Sequence, residues 1–307
     1  MSAGSGSSTR LKLWGVRGSI PVPGPGTVRY GGNTACVEVR ADDELIILDA
    51  GSGIRELGLA LENEFGSRPI NLSLLITHVH WDHIQGFPFF VPSYNDKNQI
   101  RIFGYNGTDS GLREILKGQM GAPFFPVRLY DLPGKIQFEN LKSMDFKIGK
   151  VRVRARLMNH PGVCVGYRIF TSNGSVAYLP DHEPYDAFKL HSGKPHLLSP
   201  EQTQERARKD RAELVKFLQG SDILILDSQY TDEEYQAHLG WGHGSLSTAI
   251  SMAVDAGVRK LILFHHDPTH DDQTIDKMVQ TARKLAAKSK SHLEVEGARE
   301  GAEMTLE

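Results

Sequence analysis

The sequence predicts an α/β protein, on three observations. Strands dominate the first half of the chain, strands and helices alternate in the second, and several strands are nearly unbroken apolar runs: Asn71–Ile76 (NLSLLI), Asp222–Leu226 (DILIL) and Lys260–Phe264 (KLILF). A short apolar run bounded by polar residues is what a strand covered on both faces requires. No internal repeat and no long linker interrupts the pattern. One domain over residues 11–307, built from two β–α halves, is the simplest organisation.

The elements follow in order. Met1–Thr9 is rich in Ser and Gly and lacks the charged and apolar regions of a signal peptide, so residues 1–10 are expected to be a disordered leader. Leu11–Val16 is a strand entering the Gly/Pro-rich loop Arg17–Gly32. Ala35–Arg40 and Glu44–Leu48 are strands joined by a turn at Ala41–Asp43, and Ile54–Glu64 has helical periodicity. The buried strand Asn71–Ile76 precedes a further strand, Ile100–Phe103, and a helix, Gly111–Met120. Val151–Leu157 alternates as a half-exposed strand, and Cys164–Ile169 pairs with Ser175–Leu179 around Ser172–Gly174. A charged insertion around Lys189–Arg211 leads into an amphipathic helix, Pro200–Gln219. Strand Asp222–Leu226, helix Ser245–Ala256 with Ser245 as N-cap, strand Lys260–Phe264 and helix Asp271–Lys288 complete the chain.

Composition excludes several classes. With 35 Lys+Arg against 37 Asp+Glu the net charge is -2, which is wrong for a strongly basic nucleic-acid wrapper, although a local basic groove remains compatible. Two cysteines, Cys36 and Cys164, cannot make a disulfide scaffold and fit a reducing cytoplasm. No apolar run reaches the length of a membrane span.

Most of the 13 histidines cluster: His78/His80/His83, His160/His182, His238/His243 and His265/His266/His270. Strand Asn71–Ile76 ends in Thr77-His78-Val79-His80-Trp81-Asp82-His83, and the carboxyl end of a strand is where ligands gather in α/β sheets. Three imidazoles and a carboxylate within six residues are costly to hold together without a cation. Their nitrogen and oxygen donors suit Zn²⁺, with Fe or Mn as alternatives. His78 and His80 would serve one metal, Asp82 and His83 another. The bland alternative is a polar surface turn, which a lone His-x-His would favour and this denser pattern does not.

The pattern His78-x-His80-x-Asp82-His83 resembles the metal-binding signature of the metallo-β-lactamase fold superfamily, and the likeness extends from about Leu11 to the C-terminus. It implies a four-layer αββα sandwich. Asp49 in Ile-Leu-Asp-Ala-Gly resembles the acid that holds the metal loop without binding metal. His160 in Met-Asn-His-Pro-Gly resembles the ligand completing a site with His78 and His80. Asp181 in Tyr-Leu-Pro-Asp-His resembles a carboxylate bridging two metals, with a turn Asp before Pro184 as the alternative. His265 resembles the last ligand, joining Asp82, His83 and Asp181. His266 competes with it, but His265 directly ends the buried strand and is better aimed. His182 stands where many relatives carry Thr.

Two metals about 3.5–4 Å apart under a bridging carboxylate are a device for hydrolysis by a shared hydroxide. Asp227 in Ile-Leu-Ile-Leu-Asp-Ser-Gln-Tyr and His243 in Gly-Trp-Gly-His-Gly-Ser resemble the acid–histidine pair of the ribonuclease Z and cyclic-nucleotide phosphodiesterase branch. Asp82, Asp227 and His243 are therefore the catalytic expectations, with helix capping before Ser245 as the alternative for His243. Trp14-Gly-Val-Arg-Gly-Ser-Ile-Pro and Tyr30-Gly-Gly-Asn-Thr look like the start of the same branch. Arg17, Ser19 and Asn33 are expected to bind substrate there, Arg17 and Arg29 at phosphate, against a purely structural loop. The aromatic stretch Gly86–Asp131, with Phe87, Phe89, Phe90, Tyr94, Phe124 and Phe125, could stack a nucleobase but more often forms core or a dimer contact.

The resulting expectation is a cytoplasmic dinuclear phosphodiesterase carrying two Zn²⁺ and acting on a small phosphodiester, a cyclic nucleotide first. Family likeness suggests a homodimer, with no membrane and no stable nucleic-acid partner. The alternatives are a ribonuclease Z-like endonuclease, which needs a protruding basic arm, and a β-lactamase or thioester hydrolase, which leaves Asp227 and His243 without a task. A flavodiiron oxidoreductase would want a carboxylate in place of His80, and a nucleotide-sequestering protein would not need an intact ligand set.

Overall fold

The computed structural model describes residues 8–105, 111–185 and 199–307. The elements are β1 (Thr9–Gly15), β2 (Cys36–Ala41), β3 (Glu44–Leu48), α1 (Ile54–Phe65), β4 (Asn71–Leu75), α2 (Trp81–Ile84), β5 (Gln99–Gly104), α3 (Gly111–Gln119), β6 (Lys135–Asn140), β7 (Asp145–Ile148) and β8 (Val151–Leu157). They continue with β9 (Val165–Thr171), β10 (Gly174–Leu179), α4 (Pro200–Leu218), β11 (Ile223–Asp227), α5 (Asp232–Ala237), α6 (Leu246–Asp255), β12 (Lys260–Phe264), α7 (Asp272–Lys288), β13 (Glu294–Gly297) and β14 (Glu303–Leu306). The chain divides into two compact units. One comprises Met1–Arg154, Ile169–Gly174 and Arg299–Glu307, the other Ala155–Arg168 and Ser175–Ala298.

The first unit carries a seven-stranded sheet in the order β14-β1-β2-β3-β4-β5-β6. The β2–β3 hairpin closes through Asp42 and Asp43, both at positive φ (52° and 70°), the backbone hand that matches strand twist. From β3 to β6 the strands run parallel, and Leu48 pairs with Leu75, so β3 and β4 finish side by side. Helix α1 buries Ile54, Leu57, Gly58 and Leu61, one stripe at helical spacing. That stripe joins Leu72, Leu74, Ile100, Ile102, Phe87 and Phe90 in the core.

A second seven-stranded sheet has the order β13-β12-β11-β10-β9-β8-β7. In the second unit β10, β11, β12 and β13 are parallel, with Leu179 opposite Leu226 and Leu226 opposite Leu263. This register brings three carboxyl ends level, and the residues following them are the ones expected to carry chemistry. All five residues of β11 are buried, as their apolar run requires. Helix α4 is capped by Ser199, whose hydroxyl accepts from the Gln202 N–H while the Gln202 amide accepts from the Ser199 N–H.

Two mixed sheets flanked by helices agree with the sandwich fold class expected from sequence. The differences are local. Thr9 and Arg10, expected in the leader, belong to β1, which pairs with β14. Residues 1–7, and residues 189–198 of the expected charged insertion, lie outside the described residues. Elements β6, β7, β13, β14, α2 and α5 have no counterpart in the sequence expectation. Cys36 and Cys164 are both buried free thiols. Among the described residues no helix is long and apolar enough to cross a membrane.

Candidate metal centre

In the first unit the level ends of β3 and β4 build the metal loop. The Asp49 N–H donates to the Leu75 carbonyl (3.0 Å), which sets the Asp49 carboxylate under the loop. Asp49 is fully buried. Its Oδ1 accepts from the Thr77 N–H (2.7 Å) and its Oδ2 from Thr77 Oγ1 (2.9 Å) and His83 Nδ1 (2.8 Å). Those bonds hold it at a positive φ of 61°, a conformation a non-glycine residue keeps only when its surroundings enforce it. Asp49 thus positions the loop and turns the Nε2 of His83 away from itself.

The loop residues are close together. The His78 ring centroid lies 4.5 Å from that of His80 and 4.2 Å from that of His83, and His83 Nε2 is 3.3 Å from Asp82 Oδ2. His78, Asp82 and His83 are buried while His80 and Trp81 face solvent, so the loop opens on the His80–Trp81 side.

In the second unit His160 follows β8, Asp181 follows β10, Asp227 ends β11 and His265 follows β12. Asp181 presents one oxygen to each of two imidazoles. Its Oδ2 is 3.7 Å from His160 Nε2, and its Oδ1 is 3.4 Å from His265 Nε2. The opposite nitrogen of each ring is fixed. His160 Nδ1 donates to the Gly242 carbonyl (2.8 Å), and His265 Nδ1 bonds the Gln229 amide oxygen (2.9 Å). His265 sits at a φ of 63°, a second strained residue at a strand end. His266 points elsewhere, with Nε2 bonded to the Ala298 carbonyl at 2.8 Å.

These donors fit a divalent cation. Imidazoles crowded to 4.2–4.5 Å cannot all be protonated, and fixing Nδ1 while Nε2 faces a carboxylate is how histidines are prepared as metal ligands. Asp181, His243 and His265 offer three ligand atoms within 4.8 Å of one another inside the second unit.

His243 is differently engaged. Its Nδ1 is 2.8 Å from Asp227 Oδ2, and its ring stacks on His265 at 4.8 Å with an interplanar angle of 20°. Asp227 is 1 % exposed, and it also accepts from the His182 N–H (3.1 Å, Oδ2) and the Gln229 N–H (3.0 Å, Oδ1). The carboxylate keeps a proton on Nδ1 and leaves Nε2 turned away from it; in the imidazolium form Nε2 carries the second proton, the one a leaving oxygen would take. His182 is buried, and burial lowers its pKa to about 4, so it is neutral. Its Nδ1 accepts from the Asn159 N–H at 3.4 Å.

The residues expected to bind substrate are engaged within the protein. Arg17 is fully buried, and its Nε donates to the Gly31 carbonyl (2.8 Å), so it braces the Gly/Pro-rich loop from within. Asn33 accepts from Ser52 Oγ (2.9 Å) and donates to Glu300 Oε2 (3.0 Å), which commits both ends of its amide to packing. Ser19 is exposed, and its N–H donates to Asp82 Oδ2 (2.7 Å), so its backbone orients a metal-loop carboxylate. Arg29 lies against Tyr30, 5.6 Å from the ring centroid. In the aromatic stretch, Phe87 and Phe90 are core while Phe89 and Phe124 are exposed.

Sequence reasoning missed Gln229, the Gly242 carbonyl and Glu183. Glu183 is buried, and its two oxygens accept from Gly240 N–H (2.6 Å) and Gly242 N–H (3.1 Å), pinning the loop before His243. A signal existed for Gln229, which lies two residues past the Asp ending a buried strand. A backbone carbonyl leaves none.

Residues 45–266 match the family model described as a beta-lactamase superfamily domain. A ribonuclease Z of Thermoplasma acidophilum is 25% identical, covering 91% of this chain and 92% of that protein. The metallo-beta-lactamase fold protein YhfI from Bacillus subtilis superposes with a TM-score of 0.66 at 16% identity, over 97% of this chain and 100% of that one. Unliganded yeast PDE1 gives a TM-score of 0.64, also at 16% identity, over 98% and 99%. With signature donors held at the ends of strands and the family model spanning most of its length, the chain belongs to the beta-lactamase superfamily domain family and is a hydrolase of the metallo-β-lactamase fold.

Proposed function

We propose that this protein is a cytoplasmic phosphodiesterase that hydrolyses a small phosphodiester, a cyclic nucleotide first among the candidates. In this reading His78, His80, Asp82, His83, His160, Asp181 and His265 hold two divalent cations, Zn²⁺ first. The cations, when bound, neutralise phosphate charge and make hydroxide accessible near neutral pH. His243, oriented by Asp227, protonates the departing alkoxide. The single observation that carries the reading is the His243–Asp227 bond at 2.8 Å beside an Asp181 whose two oxygens address different imidazoles. A β-lactamase or thioester hydrolase has no use for that pair.

The second reading, an RNA endonuclease, is favoured by the ribonuclease Z relative, which matches over nearly the full length of both chains. A net charge of -2 gives little general attraction for a polyanion, which favours the small substrate. The test is a panel of bis(p-nitrophenyl) phosphate, cyclic mononucleotides, a precursor tRNA and nitrocefin with metal-loaded protein, alongside metal analysis. Turnover of the phosphodiesters with about two metals per chain is expected. Cleavage confined to precursor tRNA would establish the second reading, and phosphate esters left intact by fully metallated protein would end both.

A further inference from the structure

Two of the chain's three tryptophans are exposed, Trp81 in the metal loop and Trp241, and Trp241 is the one that stands on a clamped turn. Trp14 donates its indole N–H to Glu38 (2.8 Å) and carries Lys12 over its ring, so it is a structural residue. Trp241 is 62% exposed and lies two residues before His243. Exposure at a chain tip usually means a loose loop, but this loop is built. Gly240 and Gly242, on either side of Trp241, both adopt a φ of +94°, and both N–H groups are held by the buried carboxylate of Glu183. The Gly242 carbonyl receives the His160 ring, and the Trp241 N–H donates to the His238 carbonyl (3.0 Å). The indole meets His238 perpendicularly at 4.9 Å, and His238 stacks on Tyr230 at 4.4 Å. Among the described residues no ring lies parallel to the indole.

A large apolar ring that contributes little burial, on a backbone pinned by four hydrogen bonds, is ordered for something other than folding. We propose that Trp241, held out by the Glu183-clamped Gly240–Trp241–Gly242 turn beside His243, is a preformed stacking platform for the nucleobase of the substrate, and so a specificity-determining residue. The inference rests on the phosphodiesterase reading and deepens it. Aromatic stacking recognises the flat face common to all bases, so the platform selects nucleotides over other phosphodiesters without selecting one base.

The experiment compares two chromogenic esters on metal-loaded enzyme: the p-nitrophenyl ester of thymidine 5′-monophosphate and methyl p-nitrophenyl phosphate. Trp241→Ala should raise KM for the nucleoside ester between about fivefold and 100-fold, the range of one base stack, with kcat changed less than about twofold. Both constants for the methyl ester should stay put, and Trp241→Phe should recover most of the loss. An equal effect on both esters, or none on either, overturns the proposal. Binding is read separately as quenching of tryptophan fluorescence by thymidine 5′-monophosphate, expected in the wild type and diminished in Trp241→Phe. If neither ester is hydrolysed the phosphodiesterase reading fails, and this titration still decides: unchanged quenching in Trp241→Phe, or none in the wild type, rejects the platform.

Discussion

Replacing Asp227 with Asn tests the centre of the chemistry with almost no change of shape. The carboxylate accepts three hydrogen bonds in a site with 1 % exposure, from His243 Nδ1, the His182 N–H and the Gln229 N–H. An amide has only one oxygen. If that oxygen takes the Oδ2 position, the new NH₂ confronts the Gln229 N–H. If it takes the Oδ1 position, the NH₂ confronts the His182 N–H and forces His243 to accept at Nδ1. Either way at least one buried donor loses its acceptor, at about 1–3 kcal/mol. Urea unfolding should register that loss. Catalysis suffers more, because the amide no longer stabilises a protonated His243, and kcat/KM for bis(p-nitrophenyl) phosphate should fall by about 10²–10⁴. Metal content measured on the same sample should stay at the wild-type value. A variant as stable and within about threefold as active as the wild type would refute this account. Metal loss in proportion to activity would refute it differently, by placing His243 among the ligands.

Other expectations concern the scaffold of the site. Asp49→Ala strips the acceptors from Thr77 and His83 in a fully buried position and should cost about 3–5 kcal/mol in denaturant titration, with metal stoichiometry falling as His83 loses its orientation. Gly242→Ala would put a Cβ 2.4 Å from His160 Nδ1 on a backbone with a φ of +94°, and metal analysis should show the loss of ion binding that a displaced His160 entails. His182 is held to about pH 4 by burial against an ordinary value of 6.5. Between those values the unfolded chain takes up a proton that the folded chain refuses. The contribution is complete above pH 6.5 and drains away as pH falls towards 4, about 3 kcal/mol in all at about 1.4 kcal/mol per unit. Unfolding free energies of wild type and His182→Gln should diverge across that window, and parallel curves would reject the assignment.

The parts of the molecule legible from sequence are those where one physical signal dominates. Asn71–Leu75, Ile223–Asp227 and Lys260–Phe264 must be apolar because both faces are covered, and α1 shows its stripe because only one face is. The missed strands are half-exposed. Lys135–Asn140 and Glu303–Leu306 alternate between polar and partly buried residues, a pattern that turns and loops share. Helix α2 has four residues, too few for any period to show. In the site, the motif residues stand out because histidine and aspartate are rarely so dense. Their supports do not, since Gln229, Glu183 and a glycine carbonyl are ordinary groups whose importance comes from where strand ends deliver them. For Arg17 and Asn33 the surroundings are not legible, because a cation or amide in a Gly/Pro-rich loop looks the same from sequence whether it faces solvent or, as Arg17 does, the interior.

One peptide unit ties the two roles of the second unit together. The Gly242 N–H is anchored to Glu183, its carbonyl steadies the ring of His160, and the next residue along the chain is His243. The ring proposed to hold an ion and the ring proposed to carry a proton therefore travel as a pair. A force on that short stretch, from an inserted residue or from something pressing on the neighbouring indole, would shift both at once, so loop length there is fixed by chemistry even though the stretch meets solvent.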